Sequence, residues 1–157
     1  MTAPAPGTGQ GFDLQDFLPY LLNQAAEAAS KGFQASYKAS YGMTRTQWRV
    51  LAHLGKFGAL TARDICARTH VEKTKVSRAV AALEDQGWLI RSPSPQDRRA
   101  EILTLTDRGR AVFADLGQQA IGYDQALRAQ LGPKTADQLD NLLRRIIALQ
   151  PPDAGTD

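Results

Sequence analysis

Lys73, Thr74, Lys75, Ser77 and Arg78 crowd one short stretch of the chain, and Asp97, Arg98 and Arg99 crowd another, with Arg91 between them. Their common chemistry is hydrogen-bond donation from cations and hydroxyls, which suits phosphate oxygens and the acceptor edges of bases. Covalent chemistry has no comparable signal. The sequence contains no HExxH, no Gly-rich phosphate loop, no GxSxG and no CxxC, so a metalloprotease, a nucleotide hydrolase, an esterase and a thiol oxidoreductase lack their motifs. No enzyme is expected.

The first cluster needs a helix to present it. Val76, Val80 and Leu83 recur at i, i+4 and i+7, a spacing that forms one buried stripe and turns Thr74, Lys75, Ser77 and Arg78 outward. Gly87 supplies the left-handed residue that ends such a helix. Beyond it, Trp88 to Arg91 and Glu101 to Leu105 read as short strands, with alternation clearest in Ile102, Thr104 and the intervening leucines. Pro93 and Pro95 keep the loop between them from being helical. Asp97, Arg98 and Arg99 occupy its tip, where paired arginines serve no core; a narrow minor groove or a row of phosphates is their natural partner. Asp97 has two readings, a carboxylate that orients an arginine or a plain turn-forming residue.

Upstream, Thr61-x-x-Asp64 has the form of a capping box that starts a short helix through Ile65, Ala67 and Arg68. His70, Val71 and Glu72 then form a tight connection without glycine, so His70 or a neighbour is expected to adopt a strained conformation. Two helices so joined make a helix-turn-helix, whose second helix enters the major groove with its N-terminal residues.

TQWRVLAHL, then TARDICARTHVEKTKVSRAVAALEDQGWLIR, then Asp97-x-Arg99 closing on LTLTDRGR, appear in this order between Thr46 and Arg110. The series resembles the MarR family of winged helix-turn-helix repressors, and the resemblance spans roughly residues 13 to 150. It implies a mainly α fold with a small two-stranded β wing, and terminal helices that interlock two copies. The expected organisation is a tail over 1–12, a MarR-like domain over 13–150 and a second tail over 151–157. Within that domain, 44–106 forms the winged helix-turn-helix, and 13–40 with 107–150 the dimerisation helices.

Length and composition agree with this. At 157 residues with 43% hydrophobic content the chain suits one globular domain. No apolar run approaches membrane-spanning length, the first residues lack a secretory pattern, and a lone cysteine, Cys66, fits a reducing compartment. A cytoplasmic location is expected, with no cofactor. The net charge is +3, but residues 31–62 carry five bases and no acid, and residues 63–110 ten bases against seven acids, whereas both ends are acidic. A basic centre fits phosphate binding, although many basic surfaces are merely solvated.

Leu14 to Ala39 has an amphipathic pattern whose main helix begins near Leu18, because proline is tolerated only in a first turn and Pro19 stands there. Tyr41-Gly42 ends it. Thr44-x-x-Gln47 caps the next helix, which Gly58 stops, and on it Trp48 is expected in the core beside Leu51 and Gly55. Thr106-Asp107 starts a long helix to about Leu131, and Gly132-Pro133 separates it from a last helix ending at Pro151.

The resemblance also implies a pocket for a small aromatic or carboxylic effector, with Tyr37, Tyr41, Trp48, Arg49 and His53 as candidates; the alternative for the basic ones is a solvated face. His53 and His70 lack the companions of a metal site, and none is expected. Cys66 sits beside Ile65 in a helix that must pack, where free cysteine behaves as a small hydrophobe. The expected function is that of a homodimeric, ligand-responsive repressor on palindromic double-stranded DNA. A winged helix used only for protein contact is the alternative.

Overall fold

The computed structural model describes residues 11–149. In chain order they form a 3-10 turn, Leu14–Asp16, then α1 (Leu18–Tyr41), α2 (Arg45–Phe57), β1 (Leu60–Thr61), α3 (Ala62–Thr69), α4 (Lys73–Asp85), β2 (Leu89–Pro93), β3 (Glu101–Leu105), α5 (Asp107–Leu131) and α6 (Pro133–Ala148). The expected tails lie outside the described residues apart from Gly11 and Phe12, which are exposed and irregular. Two compact units divide the chain, one ending at Met43 and one beginning at Thr44.

The first unit is built on α1. Pro19 stands in its first turn and Gly42, at φ 62°, closes it by donating its amide to the Lys38 carbonyl oxygen. Phe33 and Tyr37 are buried, and their rings meet edge to face with centroids 5.6 Å apart.

In the second unit, both helix-starting boxes form as the spacing predicts. Thr44 and Gln47 exchange side-chain to backbone bonds at the start of α2, as Thr61 and Asp64 do at the start of α3. The Asp64 carboxyl is held below its ordinary pKa, first by the Thr61 amide and then by the Thr61 hydroxyl. His70 takes the strain of the α3 to α4 connection, with φ 56°. Gly87, at φ 75°, lies just past the end of α4.

The core gathers Val50, Leu51 and Leu54 of α2, Ile65 of α3, Val76, Val80 and Leu83 of α4, Leu89, Leu103 and Leu105 of the sheet, and Leu116 of α5. Trp48 is only half-buried. The buried face of α2 centres on Val50, Leu51 and Leu54, and at about 100° per residue Trp48 falls on its flank. Gly55 belongs to a close approach, because a Cβ added there would lie 2.5 Å from the Phe113 ring of α5.

The sheet is larger than expected. The two-stranded wing gains β1 as a third strand, in the order β1-β3-β2 and antiparallel throughout. Leu60 pairs with Leu103 and Thr61 with Ile102. A strand of two residues shows no alternation in sequence, and Thr61 also serves as the cap of α3. In β3 the leucines 103 and 105 point inward while Glu101 is exposed. Strand β2 begins and ends later than its apolar run suggested, reaching Pro93, which a strand at the edge of a sheet tolerates.

Gly132, at φ 88°, separates α5 from α6. One ion pair ties these helices, Arg128 to Asp140 at 3.5 Å, flanked by Arg128 to Asp124 at 2.8 Å within α5 and Arg144 to Asp140 at 2.7 Å within α6. Arg144 first, then Arg128, keeps the Asp140 carboxyl below its ordinary range. Ala136 is buried in α6, while Leu139, Leu142, Leu143, Ile146 and Ile147 remain exposed.

Candidate nucleic-acid interface

Burying Val76, Ala79, Val80 and Leu83 forces the rest of α4 outward. Lys73, Thr74, Lys75, Ser77 and Arg78 are all exposed at its N-terminal half. Among the described residues no carboxylate lies within ion-pairing distance of Lys73, Lys75 or Arg78. Thr74 and Arg78, one turn apart, share a face. Uncompensated cations beside small hydroxyl side chains on a protruding helix end suit a groove lined with phosphates.

The neighbours of this face carry no signal in the sequence. Thr46 and Gln47 at the start of α2 line a cleft of about 270 Å³ together with Lys75 and Arg78. The capping box marked where α2 begins, but its apposition to α4 is a tertiary fact.

The wing tip is braced internally. The Asp97 carboxylate accepts the Arg99 amide at 2.9 Å, and the Ser94 hydroxyl accepts the amides of Gln96 and Asp97 at 3.3 and 3.4 Å. The Ala100 amide donates to the Asp97 carbonyl oxygen and the Ser94 amide to that of Ala100, both at 3.1 Å. Asp97 grips the Arg99 backbone as a turn-forming residue does, and among the described residues no guanidinium pairs with it. Arg98 and Arg99 are exposed without an ion-pair partner among the described residues.

Arg91 is different. Its guanidinium already holds two carboxylates, Glu84 and Glu101, each at 3.2 Å. Between α3, α4 and the wing lies a cleft of about 470 Å³, with Arg63, Ser77, Arg91 and Arg99 among its walls.

This order of helix, turn, exposed basic helix and braced wing has counterparts among known proteins. The profile of the MarR family matches residues 41–100. The homoprotocatechuate degradative operon repressor of Escherichia coli is 26% identical over 136 residues, covering 87% of this chain and 91% of the repressor. The multiple antibiotic resistance protein MarR of Salmonella typhimurium is 27% identical, covering 83% and 88%. Among solved structures, Bordetella bronchiseptica BpsR, described for the regulation of its DNA binding by 6-hydroxynicotinic acid, superposes with a TM-score of 0.76 at 26% identity. That superposition covers 89% of this chain and 99% of BpsR. Together these likenesses support a MarR-family winged-helix transcriptional regulator.

MarR-family members are transcriptional regulators, and in this chain α4 with the β2–β3 hairpin has the form of a winged helix. The residues expected around an effector divide between the two units. Tyr37 is buried and Tyr41 half-buried in α1 of the first. Trp48, Arg49 and His53 are half-buried on α2 of the second, where His53 Nδ1 lies 2.6 Å from the Arg49 carbonyl oxygen. Facing a carbonyl oxygen, Nδ1 acts as the donor in that contact. Elsewhere in the chain Cys66 is half-buried, and no group of three metal-binding side chains occurs among the described residues. None of the described helices is long and apolar enough to cross a membrane.

Proposed function

We propose that this protein is a homodimeric repressor that binds a palindromic operator in double-stranded DNA and releases it on binding a small aromatic or carboxylic acid. The observation that carries the reading is the set of unpaired cations, Lys73, Lys75, Arg78, Arg98 and Arg99, held outward by a helix-turn-helix and a braced wing. Lys75, Thr74 and Arg78 are assigned to base edges and flanking phosphates in the major groove, with Lys73 and Ser77 beside them. Arg98 and Arg99 are assigned to the minor groove or its phosphates.

The two-fold state is supported by apolar residues that one copy leaves in solvent. Leu142 and Ile147 of α6 are 52% and 65% exposed. Leu18 and Leu21 of α1 are also exposed. A second copy covering such faces in a two-fold arrangement sets two recognition helices about one helical turn of DNA apart. Residues 13–40 and 107–150 are thus assigned to dimerisation, and residues 44–106 to DNA. The effector is assigned to α2, where the Arg49 guanidinium suits a carboxylate and His53 and Trp48 offer a polar and an aromatic ring. Its class follows the hydroxylated aromatic acid that regulates BpsR.

Sedimentation velocity of the chain, alone and with a duplex, tests the assembly. Twice the chain mass alone, and two chains per short duplex, are expected. A monomer that binds one-to-one contradicts the reading.

A further inference from the structure

Arg91 belongs by sequence to the phosphate-binding cations, yet its surroundings give it other work. It stands in β2. Its Nε lies 3.2 Å from both carboxylate oxygens of Glu84, in the last turn of α4, and one terminal nitrogen lies 3.2 Å from Glu101 Oε2, at the start of β3. One guanidinium therefore joins the recognition helix to both strands of the wing. Resting on the DNA-binding reading above, we propose that Arg91 is a positioning residue: with Glu84 and Glu101 it sets the tilt of the wing on α4, and it contacts no phosphate itself.

Charge supports this. The three side chains together carry one net negative charge, so a phosphate approaching Arg91 meets two carboxylates. Arg98 and Arg99 present no such obstacle. Packing supports it as well. Beyond the buried Leu89, every residue of β2 is exposed, so little apolar contact holds the outer hairpin in place. The lever is long. At about 3.3 Å per residue the tip lies roughly 20 Å from the base of β2, and a 10° tilt moves it by about 3.5 Å, more than the length of a hydrogen bond. Exposed ion pairs add little to global stability. They suffice to bias the outer edge of the hairpin, where β2 buries nothing beyond Leu89.

The test uses the full chain and a labelled mixed-sequence duplex of about three helical turns, titrated at several salt concentrations. Arg91→Ala is expected to bind about threefold to tenfold more weakly; in an Arg98→Ala, Arg99→Ala background, where no tip contact is left to lose, it is expected to leave the slope of log K against log salt unchanged. A phosphate contact would instead lower that slope by about one. The double variant Glu84→Gln, Glu101→Gln leaves Arg91 in place and removes two negative charges from a DNA-binding protein. Electrostatics alone predicts tighter binding, whereas loss of the clamp predicts weaker binding. In the free protein, amide hydrogen exchange over residues 94–100 is expected to quicken in both variants. A slope reduced by one in the Arg98→Ala, Arg99→Ala background, a glutamine double variant that binds more tightly, or unchanged exchange overturns the proposal. Should the parent bind no DNA, the functional reading fails, and the exchange measurement alone still decides whether the clamp holds the wing.

Discussion

The Thr106 hydroxyl donates to the Gly87 carbonyl oxygen across 2.6 Å, and that hydroxyl oxygen itself accepts the Gly109 amide at 3.0 Å. The Thr106 amide in turn donates to the Trp88 carbonyl oxygen. One threonine thus caps α5 and fastens it to the turn that ends the recognition helix. We predict that Thr106→Val lowers stability by about 1–2 kcal/mol through loss of a cap and a tertiary bond. Gly109→Ala should cost about 3 kcal/mol or more, the upper end for overpacking, because its Cβ would lie 1.9 Å from the Trp88 carbonyl oxygen. Chemical denaturation measures both; a Gly109→Ala protein as stable as its parent would refute the close approach.

His70 holds φ 56° at the end of α3. Replacing it by Gly, which accepts that region freely, is predicted to be neutral or stabilising, while the β-branched His70→Val loses about 1–2 kcal/mol. Equal midpoints for the two variants in urea would show that the turn carries no strain.

Positioning and reading contacts separate by salt. Arg99→Ala is expected to weaken DNA binding and to lower the slope of log K against log salt by about one. Thr74→Ala and Lys75→Ala are expected to alter which sequences are preferred. Parent-like binding by the Arg99 variant at every salt concentration removes the wing from the interface.

Leu142→Glu with Ile147→Glu places two charges on the exposed face of α6. The predicted result is a monomer by sedimentation that keeps its helical circular dichroism and binds DNA at least about tenfold more weakly, since half the contacts are lost. A variant that remains dimeric relocates the interface.

Asp64 supplies an acid limit. Its folded pKa lies below the ordinary value of 3.8 because the protonated form gives up acceptor strength toward the Thr61 amide and hydroxyl. The stabilisation is therefore complete above about pH 4 and is lost as pH falls through the lowered folded pKa. Asp64→Asn should flatten the stability curve only in that acid range. A change in slope near neutrality would assign the effect to another group.

Much of this was legible in the sequence, because local chemistry governs it. Thr44 with Gln47, Thr61 with Asp64, and the glycines 42, 58, 87 and 132 fix helix ends through their own backbone and near neighbours. His70 was legible for the same reason. Strand β1 was not, since two residues have no period and its pairing depends on Leu103, far along the chain. The partners of Arg91 were hidden in the same way: Glu84 and Glu101 sit on other elements, and only folding brings them to one guanidinium. Asp97 offered two roles in sequence; in the folded Ser94–Ala100 turn its carboxylate accepts the Arg99 amide, while any role toward DNA depends on contacts outside the chain.

Selection of bound sequences from a random duplex library, with the purified protein at near-physiological salt, tests the central claim most directly. The predicted product is a palindrome whose half-sites lie about one helical turn apart. Recovery of no motif, with only salt-sensitive bulk binding, would contradict a specific operator and leave a winged helix whose partner is a protein.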